Sequence, residues 1–170
     1  MTRRRLEVFS ESAEETAAIG AMLGGWLRDG DVVLLHGDLG AGKTIFAKGI
    51  ATALGIDDVV SSPSFSLVNE YETGAAETVS RLYHLDLFRL VGEDDLASIG
   101  FGELTAPDSA ITLVEWPECA GELLPNRYVL IELTAVGTNR RVLRISTIPD
   151  VESWKERFGD LEARLSLVLA

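Results

Sequence analysis

The stretch Gly37-Asp38-Leu39-Gly40-Ala41-Gly42-Lys43-Thr44 constrains this chain more than any other. G-x-x-x-x-G-K-[ST] is a loop whose chemistry needs a strand before it and a helix after it. Both are written into the sequence. Val32-Val33-Leu34-Leu35 enters as an apolar strand, and Ile45 to Leu54 leaves as a helical pattern that stops at Gly55. Glycines let successive backbone N–H groups turn inward around a polyphosphate, and the helix N-terminus adds the positive end of its dipole. Lys43 is expected to set a point charge against β- and γ-phosphates, and Thr44 to offer a hydroxyl to Mg²⁺. The alternative is a glycine-rich turn with a chance Lys-Thr pair, and the flanking strand and helix argue against it. A nucleoside triphosphate contacted along Gly37–Ile45 is the expectation.

The chain has 170 residues, 46% of them hydrophobic and 25% charged, which fits a single globular domain over residues 1–170. Its 15 Lys+Arg stand against 27 Asp+Glu, a formal charge of −12. Affinity for nucleic acid comes mostly from neutralising phosphates, so direct tight binding of RNA or DNA is not expected. The dense basic spots, Arg3-Arg4-Arg5 and Arg140-Arg141, read as solvated faces. Cys119 is alone, so no internal disulfide forms, and a packed thiol in a reducing compartment is the reading. The acidic, alternating stretch Leu6 to Glu11 has no apolar signal region, and no run reaches the ~18 apolar residues of a membrane span. A soluble, cytoplasmic protein is expected.

Along the chain, Leu6 to Phe9 reads as a strand. Ser12 caps a helix running through Arg28, with Glu15 completing a capping box and Gly30 ending the element. Ser61-Ser62-Pro63-Ser64 is a loop signal, and Phe65–Tyr71 and Thr78–Leu87 form a hairpin. Glu93 to Ile99 is a short helix. Ile111-Thr112-Leu113-Val114 is a continuous apolar run, the mark of a strand buried on both faces. Tyr128–Thr134 and Arg141–Thr147 make a second hairpin. A last helix from about Val151 carries Trp154, Phe158, Leu161, Leu165 and Val168 on one stripe, expected to dock on the domain's own sheet. The fold class is α/β, a mixed parallel and antiparallel sheet flanked by helices around a P-loop.

A phosphate-binding loop needs a further acid to hold Mg²⁺, usually at the end of a neighbouring buried strand. Glu115 directly follows the run 111–114, and Trp116-Pro117 stops the strand there. It should emerge at the carboxyl edge of the sheet, where ligands sit in open α/β folds. Asp86 is the second candidate. Strand parity puts His84, Asp86 and Phe88 on one half-polar face and Tyr83, Leu85 and Leu87 on the other. Glu115 suits orienting or deprotonating a water at the γ-phosphate, and Asp86 suits Mg²⁺, although the two roles can be exchanged. His84 is either a structural or a catalytic histidine. Arg89 pairs either with phosphate or with Asp86. Ser64 is either a ligand to Mg²⁺ or phosphate, in a loop placed where nucleotide switches sit, or an ordinary turn serine.

Five motifs then occur in order: the loop 37–44, Ser62-Pro63-Ser64-Phe65, Leu67-Val68-Asn69-Glu70-Tyr71, His84-Leu85-Asp86-Leu87-Phe88-Arg89-Leu90 and Val114-Glu115-Trp116-Pro117. As a set, over roughly residues 11–133, they resemble the bacterial TsaE-type ATPases of tRNA threonylcarbamoyladenosine biosynthesis. The resemblance implies a small Mg²⁺-dependent ATPase acting through a TsaD–TsaB complex, which itself transfers the threonylcarbamoyl group. It implies contact with tRNA only indirectly. It gives Lys43 and Thr44 the phosphate and Mg²⁺ roles, makes Asp86 and Glu115 the essential acids, sets Ser64 in the switch-like loop and places Trp116 in the motif after the acid. Three positions depart from the family's usual residues. Ile45 replaces threonine and loses a hydroxyl at the α-phosphate, Ser64 replaces threonine and keeps one, and Phe88 replaces tyrosine.

Two other classes compete. A small-molecule kinase would carry an arginine-bearing lid, whereas residues 89–110 hold only Arg89, at their start. A nucleotide-switched binding module would need negligible turnover. A GTPase lacks support, since neither D-x-x-G nor Asn-Lys-x-Asp occurs.

Overall fold

Hydrophobic patterning resolves into one seven-stranded sheet in the order β1-β7-β6-β2-β5-β4-β3. The computed structural model describes residues 4–57, 60–63, 66–74 and 79–168. Its strands are β1 Arg5–Ser10, β2 Val32–His36, β3 Val68–Glu72, β4 Arg81–Asp86, β5 Ala110–Glu115, β6 Tyr128–Ala135 and β7 Arg141–Ile148. The helices are α1 Ala13–Trp26, α2 Lys43–Ala53, α3 Gly92–Ser98, α4 Phe101–Leu104 and α5 Glu152–Val168, with a 3-10 segment at Pro117–Leu123. Strands β4, β5, β2 and β6 run parallel; outside them β3 and β7 run antiparallel, and β1 pairs antiparallel with β7. Both expected hairpins form; the strands of the first are shorter than expected, and each strand of the second runs one residue longer. Ser64, Phe65 and Thr78, as well as the side chain of Val168, lie outside the described residues.

Period-2 alternation sorts each central strand between two cores. Val33 and Leu35 of β2, Leu82 of β4, and Ile111 and Leu113 of β5 join α1, α2 and α5 on one face. Val32, Leu34, Leu85 and Val114 meet α3, α4 and the 3-10 segment on the other. All six residues of β5 are buried, as its apolar run requires.

Helix α1 starts as its capping signals dictate. Ser12 Oγ accepts a hydrogen bond from Glu15 N at 3.1 Å, and Glu15 Oε2 accepts one from Glu11 N at 2.7 Å. It ends at Trp26, earlier than the expected Arg28–Gly30 boundary. Leu27 turns extended and is buried, and Asp31 Oδ2 accepts the Arg28 N–H at 2.8 Å. A side-chain cap from downstream thus overrides helix propensity there.

Helices α1 and α2 cross in backbone contact. A Cβ at Gly49 would lie 2.1 Å from the Ala17 carbonyl oxygen, and one at Gly20 would lie 2.4 Å from that of Phe46. These two glycines set the depth at which the P-loop helix sits.

The stripe of α5 docks inside the molecule. Trp154, Phe158, Leu161 and Leu165 are buried in the cluster that holds Ile19, Leu23 and Ile145. Trp154 stacks on Trp26 of α1 with ring centroids 6.0 Å apart. α5 therefore reaches the sheet face largely through α1. Among the described residues no helix is long and apolar enough to cross a membrane.

Candidate functional site

The loop between β2 and α2 carries its charge-binding geometry in the backbone. Gly42 caps α2 at φ 102°, a left-handed conformation that suits glycine, and no side chain caps the helix start. The first N–H groups of α2 are thereby left for a ligand. A cavity of about 380 Å³ opens above them, floored by Gly40, Gly42, Lys43, Thr44 and Ile45. Its far wall holds Asp86, Glu115, Ser62, Phe88 and Trp116.

The two acids stand side by side. In the parallel β4–β5 ladder Asp86 is register partner to Glu115, so both side chains leave the same face of the sheet, beside α2. They are buried, 4% and 2% exposed. Glu115 thus ends a strand that is buried to its last residue, and the half-polar face that carries Asp86 is closed to water there. Ser62 Oγ lies 3.3 Å from Asp86 Oδ2 and 3.2 Å from Glu115 Oε2, so one hydroxyl bridges the pair. Asp86 Oδ1 accepts the Phe88 N–H at 2.9 Å. His84, 1% exposed, brings Nε2 to 3.2 Å from Glu115 Oε2.

Lys43 is folded back in this state. Its Nζ donates to the Gly37 carbonyl and lies 3.8 Å from the centroid of the Trp116 ring. Burial pushes its pKa down, opposed by the charges of Glu115, Glu118, Asp86 and Asp38. Trp116 adopts a left-handed φ of 55° at the strand end, and its ring tilts against Phe88 at 4.7 Å between centroids. Burial, then Glu118 and Asp86, raise the Cys119 pKa, which keeps that thiol protonated and fits a packed residue.

Other expected residues are placed differently. Asp38 faces a separate groove beside the loop, shared with His36, Glu132 and Arg144, while Leu39 borders both cavities. Arg89 is absent from the lining of the site cavity. Ser64 is outside the described residues.

Two site residues escaped the sequence reading. The sequence sets Ser62 in a loop and in one of the five motifs, without giving it a role. Arg141 was read as a solvated face, and the structure corrects this. From β7 it donates to the carbonyls of Ala41 at 2.9 Å and Gly40 at 3.0 Å, clamping the loop and lining the cavity. Its partners lie about a hundred positions upstream, and no local pattern announces them. Arg140 does face solvent, paired with Glu11.

This arrangement fits a triphosphate with Mg²⁺. It offers an uncapped helix start for phosphate oxygens, a lysine beside them, and a threonine and two adjacent carboxylates for a hard cation.

Comparison with known proteins identifies the family. The family described as threonylcarbamoyl adenosine biosynthesis protein TsaE matches residues 10–143. A Bacillus subtilis tRNA threonylcarbamoyladenosine biosynthesis protein TsaE is 36% identical over 145 residues, covering 85% of this chain and 87% of its own. The Treponema pallidum protein of the same name is 36% identical over 137 residues, covering 81% and 97%. The crystal structure of Bacillus subtilis YdiB superposes with a TM-score of 0.76 at 29% identity, covering 96% of this chain and 97% of that one. With the family's model matched over residues 10–143 and two named relatives each 36% identical over more than 80% of it, the chain belongs to the TsaE family.

Proposed function

We propose that this protein hydrolyses ATP with Mg²⁺ and, by doing so, drives a TsaD–TsaB-type complex through its cycle. Membership of the TsaE family places it in tRNA threonylcarbamoyladenosine biosynthesis. The observation that carries the ATPase reading is the register pairing of Asp86 with Glu115 beside the start of α2.

In this reading Lys43 and the α2 N–H groups bind the phosphates. Thr44 and Asp86 hold Mg²⁺, which supplies charge neutralisation at the β- and γ-phosphates. Glu115 orients the attacking water or takes its proton. Arg141 fixes the loop carbonyls, so the N–H groups stay turned inward. Trp116 and Phe88 wall the cavity against water. With a formal charge of −12, the chain contacts tRNA through its partners.

The test is phosphate release from Mg-ATP, alone and with purified TsaD–TsaB. Lys43→Ala should weaken Mg-ATP binding about ten- to a hundredfold, the worth of a charge-assisted hydrogen bond, in a chain that stays folded. Near-normal affinity in that variant would sink the loop assignment. Release that stays negligible with the partners would make the protein a nucleotide-switched binding module instead.

A further inference from the structure

His84 is the most buried ionisable group near the cavity, yet it does not line it. Its Nε2 lies 3.2 Å from Glu115 Oε2, and Ser62 Oγ also lies 3.2 Å from that oxygen. Its Nδ1 is buried and finds no partner among the described residues. These facts fix the tautomer. With hydrogen on Nε2 the imidazole donates to the carboxylate, and the bare Nδ1 strands no buried donor. A hydrogen on Nδ1 would leave a donor unsatisfied and set two lone pairs against each other across 3.2 Å.

We infer that His84 is a positioning residue for Glu115. The His84 N–H and the Ser62 hydroxyl, which shares its one hydrogen with Asp86, both face Oε2, and this assigns Oε1 to the cavity that Glu115 lines. A carboxylate on a short side chain would otherwise rotate about its last bond and present either oxygen. His84 has no such freedom, because β4 is paired on both edges, to β3 and to β5. His84 and Asp86 leave the same face of β4, so one strand carries an acid of the site and the group that orients the other acid. Orienting partners behind such groups are commonly worth ten- to a hundredfold in activity. This inference rests on the ATPase reading for its kinetic consequence, and on geometry alone for the hydrogen bond.

The experiment has two arms on the full chain. In the first, ¹⁵N NMR reads the tautomer of wild-type His84; the chain has only 2 histidines, so a His36→Gln variant assigns the signals. A protonated Nε2 and a bare Nδ1 are expected, and the opposite tautomer overturns the inference. In the second, His84→Met removes the donor at similar volume, and His84→Gln restores an N–H at similar reach. His84→Met should lower the single-turnover rate at saturating Mg-ATP at least about tenfold while Mg-ATP affinity stays within about twofold. His84→Gln should recover most of that rate. Equal rates in Met and wild type, or equal losses in Met and Gln, overturn the positioning role. If the wild-type chain releases no phosphate even with its partners, the ATPase reading fails, and the NMR arm still decides the His84–Glu115 contact.

Discussion

Lys43 Nζ sits 3.8 Å from the centroid of the Trp116 ring, the cation resting on the indole while it donates to the Gly37 carbonyl. A lysine in this pose is aimed at the protein's own backbone. To meet a β- or γ-phosphate it must turn one of its three hydrogens away from the ring, and the cation–π contact changes with it. Contacts of that kind contribute about 0.5–2 kcal/mol, small beside a charge-assisted bond to phosphate.

Mg-ATP should therefore alter tryptophan emission, and Trp116→Leu should abolish the change. The other tryptophans, Trp26 and Trp154, are stacked on each other between α1 and α5 and should stay silent. Binding seen by calorimetry with no emission change in the wild type would show that Lys43 keeps its place on the ring.

Local motifs made much of this site readable. The loop 37–44, its strand and its helix are contiguous, so spacing alone placed Lys43 and Thr44. Glu115 was legible because a run of apolar residues ends on it. What joins the parts is not local. The pairing of Asp86 with Glu115 depends on strand register, and a one-residue slip would turn Asp86 to the other face. Arg141 reaches back to Gly40 and Ala41 across the sheet, and nothing near it in sequence distinguishes it from Arg140. The end of α1 was misread because Asp31, beyond the helix, caps Arg28.

The contact between α1 and α2 gives a stability test. Gly49→Ala would drive a methyl to 2.1 Å from the Ala17 carbonyl oxygen, and backbone cannot yield as a flexible side chain can. A loss of about 1–3 kcal/mol is expected, the usual cost of overpacking, despite the better helix propensity of alanine. Gly159→Ala is the control: it is exposed on α5 with nothing within 4 Å of the added carbon, and should gain up to about 1 kcal/mol. Chemical denaturation of the two variants decides, and similar midpoints would contradict the packing.

Helix α5 lies beyond the stretch matched by the family, and a buried ion pair helps fasten it. Arg157 donates to Asp31 Oδ2 at 2.6 Å and to Oδ1 at 3.1 Å. Its guanidinium lies 4.6 Å and 4.7 Å from the Trp26 and Trp154 ring centroids. Breaking one side of such a pair strands a charge and costs about 3–5 kcal/mol, whereas replacing both sides with apolar groups is often near neutral. Asp31→Leu alone should lower the melting temperature markedly, and Asp31→Leu with Arg157→Met should recover much of the loss. A double variant as unstable as the sum of its parts would mean that the charges, not their mismatch, hold α5 in place.

The two acids remain to be told apart by function, and their surroundings give an order. Asp86 has Oδ1 engaged by the Phe88 N–H and Oδ2 near the Ser62 hydroxyl, which fixes its carboxylate at the cavity wall close to Thr44. Glu115 has its hydrogen bonds gathered on Oε2 and is one methylene longer, which suits it to a water farther from the loop. Asp86→Asn should therefore weaken Mg²⁺-dependent ATP affinity as well as rate. Glu115→Gln should keep affinity and lose hydrolysis, because an amide still accepts a hydrogen bond but cannot take the proton. Measured together, Mg²⁺ titrations of ATP binding and single-turnover rates separate the two. A Glu115→Gln variant that needs far more Mg²⁺, beside an Asp86→Asn variant that binds normally, would exchange the roles: Glu115 would be the metal's acid and Asp86 the water's.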